Sequence, residues 1–466
     1  MEEENVFSEA PIGKAVRTMI FPTIISQIIM VIYNMADTWY VGLTGNAYAV
    51  AAVSLCLPVY SILSAVSNLF GIGGAGAMAR ALGVHDRKRA GKVVGMTLLG
   101  AMAGAVLYAW FMAAAARPLL LLIGGDDHTI AYAVSYTFWT IVVGGIPTIL
   151  SPVCGHLIRA MGRPKAASFG MMLGAVLNIL LDPLFMFVLL SSGHEVQGAA
   201  MATALSNGFA LVYFAVYLAV FRKNPDSIRA DQENKTGKQE KGRMSFGGYR
   251  RLMGEILVGG IPGFCMVALA MASNCVLNSM ISDLGSEAVG GLGIVRKIDQ
   301  LAYAVNQGIT QGMLPLAAYC YSAGLTARLW KAVRISAIYS EGFSLICTAV
   351  SLLFSRQLVT FFIRDSMTVH FGAEFLRVLC LAIPVYTLTF IIIAVFQAMG
   401  RGLWPFILSV LHKGSLDILL LFVIRETLGT ERLVWAAPIS ELTALMVGIG
   451  MLSRIRNKKT NSKTPE

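Results

Sequence analysis

Charge is what this 466-residue sequence has least of: Asp, Glu, Lys and Arg make up 14% of it, while apolar residues make up 56%. Soluble domains carry roughly 25% charged residues, so the reading of this length as about three soluble domains of ~150 residues is excluded. Cysteine is scarce as well. The seven, at 56, 154, 265, 275, 320, 347 and 380, all lie in apolar stretches with no CxxC spacing, which indicates neither a disulfide framework nor a zinc site. No GxxxxGK(S/T), HExxH or GxSxG occurs and the six histidines form no cluster. The expectation is therefore a protein that is not an enzyme, carries no cofactor and uses no ATP. The net charge of +11 would raise nucleic-acid binding in a soluble protein, but here the charges sit in loops, and no nucleic-acid partner is expected.

What is present is length of apolar chain. A helix needs about 20 apolar residues to cross the hydrocarbon core, and twelve such spans can be counted: 18–42, 48–80, 92–116, 129–158, 165–190, 198–221, 251–281, 288–319, 331–354, 367–398, 404–424 and 433–453. The first run is too long, and follows too acidic a start (Glu2, Glu3, Glu4), for a cleavable signal peptide. Alternating loops place 28 Lys and Arg on one side and 5 on the other, so both termini are expected in the cytoplasm. Residues 222–250 are polar, charged and rich in Gly and Ser, and read as a linker. The expected plan is an N-lobe (1–221), the linker (222–250), a C-lobe (251–453) and a basic tail (454–466).

The two halves repeat. Ile146-Pro147 returns as Ile383-Pro384, Arg159-Ala160-Met161-Gly162-Arg163 as Gln397-Ala398-Met399-Gly400-Arg401, Phe21-Pro22 as Ile261-Pro262, and Leu43-Thr44-Gly45 as Asp283-Leu284-Gly285, at offsets of 237 to 240. Six spans per half make the repeat parallel, about an axis normal to the membrane with a cleft between lobes. That layout belongs to secondary transporters.

Charged side chains inside spans need a reason. Asp37 lies near the end of span one. Asp182 lies in span five, with Asn178 one turn before it on the same face, and Thr203 of span six falls near the same level. Hard oxygens at one depth could replace the water of a Na⁺ ion at Asp37 and Asp182. Two carboxyls close together could equally hold a proton. The plainer alternatives are that Asp37 caps an interface and Asp182 is a structural hydrogen-bonder. Pro22 removes a backbone bond within span one and permits a bend, as a lever or as a fixed kink. Span eight carries Arg296, Lys297, Asp299, Asn306, Gln307 and Gln311, and span seven Asn274 and Asn278. They could wall a polar cleft, or pair internally and glue helices together. Asp299 and Asp417 are read as the acids within the C-lobe spans.

Tyr33-Asn34-Met35-Ala36-Asp37-Thr38-Trp39-Tyr40-Val41-Gly42, Leu57-Pro58-Val59, Asn68-Leu69-Phe70-Gly71-Ile72-Gly73, Ala79-Arg80-Ala81-Leu82-Gly83, Arg159-Ala160-Met161-Gly162, Asn178 through Asp182-Pro183 and Gln311-Gly312-Met313-Leu314-Pro315-Leu316 together resemble bacterial multidrug and toxic compound extrusion (MATE) transporters over nearly the whole chain. The resemblance implies an all-α, V-shaped polytopic fold of two six-helix lobes in the cell membrane. It implies antiport of amphipathic, cationic compounds against Na⁺ or H⁺ by a monomer, with cation-site roles on Asp37, Asn178, Asp182 and Thr203 and the bending role on Pro22. Tyr33, Asn34 and Asn68 join the expected substrate cleft. In another branch the acids lie in spans seven and ten, where Ala270 and Ile391 stand here. A flippase of lipids or lipid-linked precursors with a related fold is the rival, and a membrane scaffold a third reading.

Overall fold

The computed structural model describes residues 6–190, 193–223 and 246–461. Among them there is no β-strand. The N-terminal half comprises α1 (Ile12–Leu43), α2 (Ala47–Gly83), α3 (Arg87–Leu122), α4 (Ile130–Thr137), α5 (Gly145–Ala160), α6 (Pro164–Pro183) and α7 (Glu195–Lys223). The C-terminal half comprises α8 (Phe246–Ile281), α9 (Ser286–Ser322), α10 (Thr326–Leu353), α11 (Ser355–Phe362), α12 (Ser366–Leu379), α13 (Ala382–Ala398), α14 (Leu403–Lys413), α15 (Ser415–Leu428) and α16 (Ala436–Asn461). Residues 224–245 of the expected linker and 462–466 of the tail lie outside the described residues.

Nine described helical stretches are long and apolar enough to cross a membrane, and two bent pairs bring the total to eleven. The remaining expected span is α9, whose 37 residues reach about 55 Å at ~1.5 Å per residue. It falls short on apolarity, because Glu287, Arg296, Lys297 and Asp299 interrupt its first half and Asn306, Gln307 and Gln311 its second. It packs against α1, α2, α10, α12 and α13, and protein rather than lipid surrounds much of its length.

The bent pairs occupy equivalent places in the repeat. Residues Ile130–Val143 meet α5 at 49°, and α12 meets α13 at 43°. Pro147 and Pro384 are each the third residue of the downstream helix. A proline cannot bond the carbonyl four residues back and its ring crowds it, and those carbonyls, 143 and 380, sit at the two breaks. In the C-terminal half the released Cys380 carbonyl accepts from Thr348 Oγ1 at 3.0 Å. By contrast, α1 runs unbroken through Pro22.

The halves meet through α1 against α9 and α2 against α8, and glycine sets their approach. A Cβ on Gly73 would stand 2.0 Å from the Ile256 carbonyl oxygen, and one on Gly260 1.7 Å from that of Leu69. On α9, a Cβ on Gly312 would stand 2.7 Å from the Met19 carbonyl oxygen and one on Gly308 2.7 Å from Ile24 Cα. Gly73 and Gly312 are separated by the repeat offset, so the two contacts are one contact used twice. Small residues that admit backbone contact are the usual means of joining helices in lipid, where apolar burial supplies no drive.

Gly260→Ala should therefore destabilise the purified protein by about 1–3 kcal/mol, the usual cost of overpacking, read as a lowered melting temperature. Gly95→Ala, where a Cβ meets nothing within 4 Å, should leave it unchanged or raise it.

Candidate functional site

The N-terminal lobe gathers the expected polar residues into one buried cluster. Asn178 and Asp182 share a face of α6, and α7 brings Thr203 against them; all three are buried. The Asn178 amide donates to Asp182 Oδ1 and to Thr203 Oγ1, both at 3.2 Å. Asp37 approaches from α1, which packs on α6, and lies within electrostatic reach of Asp182. Three oxygens here are buried without a hydrogen-bond partner: Asp37 Oδ1, Asn178 Oδ1 and Asp182 Oδ2. Buried acceptors are normally satisfied, so this cluster has room in its bonding for protons or for a cation that accepts hard oxygen ligands. No group of three or more His, Cys, Asp or Glu side chains among the described residues could hold a metal ion, and two carboxylates suit a single positive charge.

Tyrosines surround the acid in a way that the sequence did not reveal. Tyr60 of α2 lies within hydrogen-bonding reach of Tyr33, and Tyr60 and Tyr136 both interact electrostatically with Asp37. Their signal in sequence is weak, since tyrosine in an apolar run reads as core. Asn34 turns back to the Met30 carbonyl of its own helix, 2.8 Å away.

A second feature is a cavity between the lobes. Asn68 of α2, Gln307 and Gln311 of α9, His156 of α5 and Phe390 of α13 are among its lining, and none of the lining residues is Asp or Glu. Behind it Arg159 is fully buried and donates to Gln311 Oε1 at 3.3 Å, with Nε and Nη1 lacking partners. Gln27 of α1 donates to the same oxygen at 3.2 Å, and the Gln311 amide donates on to Gln307 at 3.2 Å. His156 and Arg159 are readings the sequence missed.

The other expected cleft residues go elsewhere. Asn274 and Asn278 are exposed, and Arg296 donates to the Asn274 carbonyl at 3.2 Å. Asn306 is buried inside the C-terminal lobe, donating to Thr387 at 2.8 Å and accepting from Ser340 at 2.6 Å; the amide joins three helices. Asp299 accepts from Tyr386 at 3.2 Å and lines a separate, mainly apolar cavity within that lobe. The inventory of C-lobe acids needs correction: besides Asp299 and Asp417, the expected spans contain Glu255, Glu341, the exposed Glu374 and the fully buried Glu441. A long apolar run absorbs one acid without losing its character, which hid them.

At the end of the molecule that carries most basic loops, the seam is shut. Arg80 of α2 donates to Glu255 of α8 at 3.2 Å and to the Gln397 carbonyl of α13 at 3.1 Å, and Arg89 reaches Glu255 at 2.5 Å. Arg328 of α10 gathers the carbonyls of Phe7 and Ala10 at 2.8 and 2.7 Å, and Phe7 stacks on Tyr319.

A model of the MatE family matches residues 22–184 and again 262–423, so the two matches fall on the two halves. The chain belongs to the MatE family. Over 99% of its length it is 26% identical to the multidrug export protein MepA of Staphylococcus haemolyticus, covering 98% of that protein, and 25% identical to MepA of Staphylococcus aureus at the same coverage. A solved outward-facing conformation of a multidrug resistance MATE family transporter superposes with a TM-score of 0.86 at 22% identity over 99% of both chains. A transporter of the same superfamily from Pyrococcus furiosus, described as having a binding pocket of reverse polarity, does so with 0.86 at 22% over 98% of both. This member of the MatE family is a multi-pass protein of the cell membrane.

Because Glu255 holds two arginines across the seam, Glu255→Gln should loosen the basic end. With spin labels at the exposed Val84 and Leu325 in a background without native cysteines, the distance distribution should shift to longer values relative to the same labels with Glu255 intact.

Proposed function

We propose that the protein exports amphipathic, cationic compounds from the cell in exchange for Na⁺ or H⁺, by alternating access between its lobes. The observation that carries this reading is the separation of two features: a cluster of unsatisfied buried oxygens inside the N-terminal lobe, and an acid-free cavity between the lobes. The MepA relatives are multidrug export proteins, and their likeness runs through both features.

The coupling cation is held by Asp37, Asn178, Asp182 and Thr203. Asp37 belongs to α1 and the other three to α6 and α7, so binding a positive charge draws α1 toward α6. Because α1 also packs along α9, that movement alters the seam and with it the access to the cavity; Pro22, within the stretch of α1 that touches α9, is where α1 yields. Cation and substrate favour different arrangements of α1, and this difference in affinity is the coupling. The substrate's positive charge rests against the ring of Phe390 and beside the amide oxygen of Gln307. With the basic end cytoplasmic by the positive-inside rule, both termini lie inside and the shut seam is the inner gate. A monomer suffices for the cycle.

Efflux of a fluorescent cationic dye from cells or proteoliposomes under imposed Na⁺ and H⁺ gradients tests this. Gradient-driven export should fall to background in Asp37→Asn and Asp182→Asn at normal expression, and the effective gradient names the ion. Export that persists in both variants would remove the site assignment. Lipid translocation without dye export would put the flippase reading in its place.

A further inference from the structure

The C-terminal lobe holds a second ionisable centre, behind the wall of the inter-lobe cavity. His412 of α14 and Glu441 of α16 are both fully buried, and the imidazole Nδ1 is bonded directly to carboxylate Oε2. The other ring nitrogen, Nε2, is buried without a hydrogen-bond partner. Phe390, which lines the cavity, sets its ring edge-on to the imidazole with centroids 4.9 Å apart, so one aromatic ring separates the pair from the substrate space.

The surroundings are acidic. Tyr386 of α13 interacts electrostatically with Glu441 and donates to Asp299 of α9, with the Tyr303 ring tilted against it, centroids 6.5 Å apart. Asp417 of α15 accepts from Ser273 of α8 and, at 3.1 Å, from Ser440, the neighbour of Glu441 on α16. Between Glu255 and Cys275, α8 offers only Cys265 as a titratable side chain. On α12, Arg377 is turned to Ser355 at 2.9 Å and His370 and Glu374 are exposed. With one proton the His412–Glu441 pair is neutral overall. Removing that proton leaves a buried anion beside Asp299 and Asp417, and a second one makes a buried cation; burial penalises both.

A structural pair would be served by two amides at less desolvation cost, and it would leave no ring nitrogen open. We propose that His412 and Glu441 form a proton-binding site of the C-terminal lobe: when the Phe390 ring moves, a proton entering at Nε2 from the inter-lobe cavity releases the Nδ1 proton to Glu441 Oε2, leaving a neutral imidazole and a carboxylic acid, and the reverse empties the site. The emptied pair is an anion that attracts a cationic substrate against Phe390, and the loaded, neutral pair does not, which gives the C-terminal lobe its own antiport coupling. The link to transport rests on the export reading above; the proton site itself does not.

Two measurements on the purified full-length protein test it: an infrared difference titration of buried carboxylic acids, and the Kd for the fluorescent cation rhodamine 6G as a function of pH. The wild type should show a carboxylic-acid band that titrates, is absent from Glu441→Gln and moves its midpoint in His412→Asn. Over the same interval acidification should weaken dye binding with a slope approaching about tenfold per pH unit, the linkage of one proton. That slope should be lost in Glu441→Gln and kept in Glu374→Gln, an exposed acid of the same lobe. If Glu441→Gln does not fold, Glu441→Asp is read instead, with a displaced midpoint expected. Variants that only lower the melting temperature, with band and slope as in wild type, would overturn the proposal and leave a structural pair. Dye export surviving Asp37→Asn and Asp182→Asn while the Glu441 band titrates as expected would remove the N-lobe reading and keep this one.

Discussion

Backbone contact between the two lobes is the constraint on which the rest of this molecule depends. At Gly73 and Gly260, and again at Gly308 and Gly312, the helices approach so closely that a methyl group has no place. In lipid, helices gain nothing by hiding apolar surface from one another, so such contacts and the polar bonds beside them must join the halves. Because the contact is used twice, by α2 with α8 and by α9 with α1, it forms a seam along which the lobes can part without either one unfolding.

That seam decides where polarity can be placed. Side chains on it exchange bonds across lobes, as Arg80 does with Glu255 and Gln27 with Gln311. Those just behind it are sealed inside one lobe: Asp37, Asn178 and Asp182 in the first, His412, Glu441 and Asp417 in the second. Each sealed group costs desolvation, and each oxygen left unsatisfied adds to it. Such a cost is found where a protein uses it. The cavity between the lobes, lined by amides and a phenylalanine ring without a carboxylate, is by comparison inexpensive and adaptable.

Arg159 shows the tension in one residue. Closing the seam buries its guanidinium with only the Gln311 contact described and two donor nitrogens unmatched. A lobe contact that strands a cation is less stable than its apolar contacts alone would make it.

The apolar runs and their repeat, written in composition and in spacings of 237 to 240 residues, were enough to determine the all-helical membrane fold, because a chain in lipid must satisfy its backbone within helices. Proline weakens the carbonyl four residues before it, but which prolines break a helix was not local: the chain bends before Pro147 and Pro384 and runs unbroken through Pro22. Grouping Asn178 with Asp182 followed from helical periodicity, and Thr203 was placed by span depth. Which other polar residues meet was decided only by the tertiary structure. Asn306 and Gln307 are adjacent in sequence, yet one is sealed among three helices and the other faces the cavity, a difference of one step around α9. Tyr60, Tyr136, His412 and Glu441 sit in runs that read as ordinary apolar helix, and only packing brings them to Asp37 or to each other. Periodicity fixes which residues share a helix face, but the neighbour that face meets depends on how separate helices cross, and no local pattern carries that information.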